Sequence, residues 1–218
     1  MAGYFSNFPK LIYSTNSFSS ADRITNIMAK FSLNQSTKEN TAVYYEYDVR
    51  EGDTPEVIAK KAYGDPYKHW VVLMMNNIVD AQYDWPLTTI NLNNYIDAKY
   101  STSEYANSNT SGAGLTFAES NVHSYYKVIT TTIANGSKIV NEYQIDANTY
   151  ANVSVSTSSI TLQDNNVITI AVSKDSKTYY EYEVEENEGK RKIKVLKPEF
   201  VSALEDEIKK VFLVWQQT

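Results

Sequence analysis

Cysteine is absent from the 218 residues, so neither a disulfide framework nor a thiolate metal site can form. Only two histidines occur, His69 and His123, and no Ser, Cys or carboxylate constellation beside them looks like a catalytic triad. Two histidines without cysteine also make a structural zinc site a poor reading, and no metal or cofactor is expected. Glycine is scarce, 7 residues, and there is no Gly-rich phosphate loop. Positive charge is not in excess: 20 Lys+Arg against 26 Asp+Glu give a formal charge of -6, with no basic stripe to neutralise nucleic-acid phosphates. Long hydrophobic runs are missing too. The longest, residues 70–75, is far below the roughly 18–20 residues of a membrane span. Residues 1–10 lack the basic start and apolar core of a signal peptide, so secretion by that route is not expected.

Apolar and aromatic material is plentiful. At 42% hydrophobic residues the chain can bury at least one real core. There are 18 tyrosines, and their apolar rings with polar tips suit protein interfaces. A β-rich core with half-exposed tyrosines gives the same composition, so both readings stay open.

Four segments follow from the pattern. Residues 1–40 form an apolar arm containing Phe5 and Phe8, then a short helix with Ile24, Ile27, Met28 and Phe31 at helical spacing after a cap at Ser20 or Asp22. Residues 41–100 open with an aromatic and β-branched strand at 43–49. A helix follows, capped by Asp53 or Thr54, with Pro55 at its first position and Gly64 at its end. Asp65-Pro66 starts a second helix, whose broad apolar surface includes Trp70, Leu73 and Met74 and predicts burial on more than one side. Asn76-Asn77 stops it, an aromatic exit loop runs to Leu87, and Thr88 caps a third helix through Tyr100.

Residues 101–185 change to Ser, Thr, Asn and alternating β-branched residues. A flexible connector at 101–114 precedes strands at 125–132 and 138–145, joined by Asn135-Gly136 as a type I′ hairpin, and further strands at 153–156, 160–162 and 167–172. Residues 186–218 hold a closing strand and an amphipathic helix from Pro198, with Phe200, Val201, Leu204, Ile208, Val211 and Phe212 along one stripe. The fold class is therefore α+β. Asp53, Glu56, Asp65 and Asp84 could be nominated for glycoside hydrolysis, but each has a simpler role as a cap, dipole partner or turn residue, so an enzyme is not expected.

The order strand, Gly52-Asp53-Thr54, helix, Tyr63-Gly64, helix, Asn76-Asn77-Ile78 resembles the first three-quarters of a LysM module, with Tyr47, Val49, Ile58 and Ala59 among the residues that carry it. The usual continuation is missing. Tyr63, Gly64, Pro66, Trp70, Val71, Val72, Leu73, Met74, Asn76, Tyr83 and Trp85 resemble more closely the bacteriophage baseplate wedge protein 53 family of T4-like contractile tails. A second patch at 186–194, followed by a terminal helix, resembles that family's C-terminal end. Together the likeness covers roughly residues 20–100 and 180–214.

The resemblance implies a non-enzymatic virion component of the tail baseplate, assembled in the host bacterial cytoplasm. Its expected partners are the wedge-core dimer and the lysozyme-like sheath-initiating subunit. It also suggests that strand 44–49 pairs with 191–196, making the β-rich middle an insertion. Tyr83, Asp84, Trp85, Pro86, Leu87, Phe5, Phe8 and Phe212 are the expected partner-contacting residues. Tyr47, Val49, Ile58, Tyr63, Trp70, Leu73 and Met74 are the expected module core. A LysM-like glycan-binding module is the alternative, and a peptidoglycan hydrolase a third reading.

Overall fold

The computed structural model describes residues 8–13, 22–29, 31–102, 104–133, 135–163 and 167–215. It is mixed α+β. In chain order the elements are β1 Lys10–Tyr13, β2 Asp22–Thr25, α1 Gln35–Glu39, β3 Tyr44–Asp48, α2 Pro55–Tyr63, a 3-10 turn Pro66–Lys68, α3 His69–Met75, α4 Thr89–Tyr100, α5 Ala113–Ser120, β4 Val122–Thr132, β5 Lys138–Ile145, α6 Ala147–Asn152, β6 Ser156–Thr161, β7 Val167–Thr178, α7 Tyr179–Gly189, β8 Lys192–Leu196 and α8 Pro198–Trp215. They fall into two compact units, one from residues 1–88 with 188–218 and the other from 89–187.

In the first unit, β3 and β8 pair antiparallel from Tyr44↔Leu196 to Asp48↔Lys192, the long-range pairing expected from the unfinished module. The helices form where the caps direct. Thr54 Oγ1 accepts from Val57 N–H at 3.4 Å, Pro55 fills the first turn, and Gly64 ends α2 in the left-handed region at φ 73°. Helix α3 is buried on two sides, as its breadth predicted. Val71 and Met75 join Phe8, Leu33, Leu196, Val201, Leu204, Ile208 and Phe212 in one core, while Val72 joins Val49, Ile58, Ala59, Trp85, Ile193 and Val195 in another. Trp70 and Met74 pack partly buried on the first core, Tyr47 and Leu73 on the second, and Tyr63 on both. Burial pushes the Tyr63 phenol well above its ordinary pKa.

Asn76, expected only to stop the helix, ties α3 to the sheet. Asn76 Nδ2 donates to Val72 O and Lys194 O, both at 2.8 Å, and its Oδ1 accepts from Lys194 N–H at 2.7 Å. The amide thereby satisfies the outward-facing backbone groups of β8 at Lys194, as another strand would.

Residues 22–29 are not a helix. Residues 22–25 form β2 and pair with β1, Leu11 opposite Ile24. The apolar spacing covers too few turns for a helix to be stable alone, and the Arg-Ile-Thr run finds its backbone partners across the ribbon. Ser20 lies outside the described residues.

The second unit holds the antiparallel sheet β5-β4-β7-β6. The expected connector, 101–114, runs into helix α5, whose start is held from a distance: Asp97 accepts from the N–H groups of Gly112 at 2.8 Å, Gly114 at 2.9 Å and Leu115 at 3.2 Å. A Cβ on Gly114 would lie 2.1 Å from Asp97 O, so only glycine permits this approach of α5 to α4. Helix α4, which follows the first module in sequence, thus packs in the second unit. The segment read as a strand at 153–156 is instead preceded by α6, with Asp146 capping Asn148 and Thr149 N–H, and the strand begins at Ser156. The β4–β5 loop is longer than a type I′ turn. Ile133 N–H donates to Ser137 O at 2.9 Å, Gly136 N–H donates to Ile133 O at 2.8 Å, and Gly136 sits at φ 83°, the three-residue pattern with a left-handed glycine.

Candidate protein-protein interface

The exit loop after α3 is built by backbone hydrogen bonds to its own acids. Asp80 O accepts from Tyr83 N–H at 3.2 Å and Asp84 N–H at 2.8 Å, while the Asp84 carboxylate accepts from Val79 N–H at 3.3 Å and Asp80 N–H at 3.1 Å. Lys190 Nζ donates to Tyr83 O at 2.8 Å, so the loop is pinned to the segment that leads into β8. Two apolar side chains stand out of this ring, Val79 at 91% exposure and Tyr83 at 57%.

Trp85 does not. Expected to face a partner, it is 7% exposed, packs with Val49, Ile58 and Val195, and donates Nε1–H to Asp53 O at 2.9 Å. Pro86 is buried beside it and Leu87 is half-buried. Phe8 and Phe212 are also interior, ring centroids 4.8 Å apart, with Phe31 6.3 Å from Phe212. An aromatic ring next to an unfilled core is drawn in by its own area, which the sequence pattern alone does not reveal. Phe5 lies outside the described residues. Of the eight residues expected to meet a partner, Tyr83 and Asp84 are exposed, and Asp84 spends its carboxylate on the loop.

The N-terminal arm, expected to lie on a neighbour, is in its described part the first strand of the β1–β2 ribbon, a form that the sequence did not suggest. The ribbon's feet are fixed: Phe8 precedes it in the core, Phe31 follows it against Phe212, and Asn26 N–H donates to Pro9 O at 2.8 Å. Beyond the feet it is open and carries apolar side chains among charged ones, Lys10 and Arg23 being exposed as well. Leu11, Tyr13 and Ile24 share one face, Ile12 is 76% exposed on the other, and Ile27 and Met28 extend the strip, Met28 at 82%. A ribbon of two four-residue strands is marginal in water by itself. Reading 22–31 as a helix hid it. The density of Ile, Leu, Tyr and Met was the available signal.

Three of the four nominated carboxylates, Asp53, Asp65 and Asp84, hold hydrogen bonds within the fold. Asp53 accepts from Tyr47 Oη and Lys61 Nζ, each at 2.7 Å; burial opposes its ionisation, but these bonds outweigh it and hold the carboxyl below its ordinary pKa. Asp65 accepts from Tyr67 N–H at 3.0 Å. His69 Nδ1 sits 3.1 Å from Pro66 O, and Lys38 Nζ, buried, donates to Asn77 Oδ1. Among the described residues no group of three or more His, Asp or Glu could hold a metal ion, and no helix is long and apolar enough to cross a membrane.

Acids held in caps and turns, a self-pinned loop and a ribbon with exposed apolar side chains are what the first unit presents. The chain belongs to the base plate wedge protein 53 family, whose model matches residues 4–211, nearly its whole length. The family is a structural component of the phage baseplate, which assigns the chain to the virion tail baseplate and to assembly with other baseplate subunits in a multi-copy complex. Among curated proteins none matches the chain.

Proposed function

We propose that this protein clamps adjacent wedge subunits and helps assemble the baseplate, acting without catalysis. The observation that carries the proposal is the β1–β2 ribbon, anchored in the first core and presenting Leu11, Ile12, Tyr13, Ile24, Ile27 and Met28 to solvent. Exposed apolar elements of this kind serve as interface anchors, and Val79 with Tyr83 on the exit loop adds a second contact. The family resemblance supports the wedge-core dimer and the lysozyme-like sheath-initiating subunit as the neighbours, and assembly in the host cytoplasm. Burial of Trp85, with its indole N–H committed to Asp53 O, weighs against a glycan-reading groove, because the ring has no open face for a sugar.

The test uses Ile12→Thr combined with Met28→Ser, exchanges that keep a β-branched residue on the strand and touch no core position. Stability should change by no more than about 0.5 kcal/mol. Co-assembly with the other wedge subunits should weaken by about 2 kcal/mol or more, read as lost incorporation into purified baseplates. Full incorporation of the double variant would sink the proposal.

A further inference from the structure

The second unit offers a different surface, the outer edge of its sheet. Strand β5 is terminal in the order β5-β4-β7-β6, and residues 138–144 are exposed throughout. It has no proline and no bulge in its pairing with β4, so it lacks two of the usual devices that protect an edge. Ile139 and Tyr143 are both about half exposed.

We infer that β5 pairs antiparallel with β5 of a second copy of this chain, joining two four-stranded sheets across a twofold axis at Asn141. Backbone direction restricts the choice of register. The bond from Ile133 N–H to Ser137 O makes that a hydrogen-bonded pair, so alternation along the register Thr132↔Lys138 to Tyr125↔Ile145 directs the N–H and C=O of Lys138, Val140, Glu142 and Gln144 outward. Only even residues can exchange hydrogen bonds with even residues of the other copy.

Two symmetric registers give the longest overlap. One is centred on Glu142 and sets that carboxylate against its own copy, which is unfavourable. The other is centred on Asn141; it sets Val140 opposite Glu142 but brings no like charges together and places opposite charges on the diagonal. Ile139 faces Tyr143 twice, the two Asn141 amides meet, and Lys138 lies opposite Gln144, diagonal to Glu142 of the other copy. Odd residues share one face, so the Ile139 and Tyr143 pairs extend the apolar surface of Ile129, Ile170 and Val172 across the junction.

The absence of cysteine supplies a direct probe. Asn141→Cys in the full chain puts two thiols in a directly opposed, non-hydrogen-bonded pair, roughly 4.5 Å between Cα atoms, within disulfide reach. Mild oxidation should give a covalent dimer, whereas Thr157→Cys on the opposite edge strand should not. By analytical ultracentrifugation, Glu142→Lys should raise the dimer dissociation constant roughly tenfold by placing it near Lys138 of the other copy. The double exchange Lys138→Glu with Glu142→Lys should restore it. The inference is overturned if the protein is monomeric at every concentration, if Asn141→Cys does not cross-link, or if the double exchange fails to rescue while circular dichroism shows both variants folded.

Discussion

Replacing Trp85 by alanine removes an indole that is 7% exposed and packs among Val49, Ile58, Ala59, Val72, Ile193 and Val195. A tryptophan buries on the order of 150–250 Å². At about 25 cal/mol per Å² this corresponds to about 4–6 kcal/mol, an upper bound because the unfolded chain already covers part of the ring. Large-to-small exchange of buried aromatics gives about 3–5 kcal/mol, the expected cost here. Trp85→Phe separates the two contributions. It keeps most of the area but removes the donor to Asp53 O, and should cost about 1–2 kcal/mol. Because the chain forms two compact units, a single unfolding midpoint is not a clean measure, and native-state amide exchange is preferable. The slowest amides of β3 and β8, Tyr47 and Ile193 among them, should lose protection by the amounts given. If Trp85→Ala leaves those amides as protected as before yet abolishes baseplate incorporation, the ring is a partner anchor and the reasoning from burial fails.

Asn76→Ala should destabilise the first unit by about 2–3 kcal/mol, since it leaves Lys194 N–H and C=O without partners at a part-buried site; exchange at β8 measures this, and Asn76→Asp should not restore it, having no donor. Asp97 gives a pH dependence. Its carboxyl is held below the ordinary carboxylate range chiefly by the Gly112 N–H, with the Leu115 and Gly114 N–H groups contributing. A lowered folded-state pKa adds stability above the unfolded value of about 3.9, and that contribution disappears as pH falls through the lower folded value. Exchange protection of α5 should therefore fall in that acid window, and Asp97→Asn should remove the pH step. A step that survives in Asp97→Asn assigns it to another group.

Local chemistry was readable where each cap sits beside the residues it caps. Thr54, Pro55 and Gly64 bound α2 as expected, and Asp65 starts the turn into α3. The β3–β8 pairing was readable from a module that lacked its last strand. Helix α5 was not, because its N-terminal N–H groups bond to Asp97, some 15 residues earlier. Helix α7 was hidden differently. Its buried face carries Glu183 and Asn187, so no apolar stripe marks it; Glu183 is satisfied by Tyr100 Oη at 2.7 Å and Lys99 Nζ at 2.5 Å. Trp85 and Tyr83 look alike in the loop sequence, yet the core takes in only Trp85, and the spacing of Ile24, Ile27 and Met28 suits a helix although residues 22–25 pair as a strand.

The tyrosines, ambiguous by composition, divide by neighbourhood. Tyr100, Tyr105 and Tyr179 cluster with Phe117 inside the second unit, centroids 4.9 to 6.4 Å apart, whereas Tyr13, Tyr83 and Tyr143 remain outside on the ribbon, the exit loop and the sheet edge. Those three exposed elements are not loose. The ribbon is held at its feet by Phe8 and Phe31, the loop by Asp80, Asp84 and Lys190, and β5 by its full register with β4. Association costs about 0.5–1.5 kcal/mol for each rotamer-rich side chain that must be ordered, besides any backbone that must settle. Elements already fixed by folding avoid the backbone part of that cost, so modest apolar areas can contribute net affinity. Many weak, preorganised contacts suit a subunit repeated through a large assembly, where each copy needs only enough affinity to lock once its neighbours are in place.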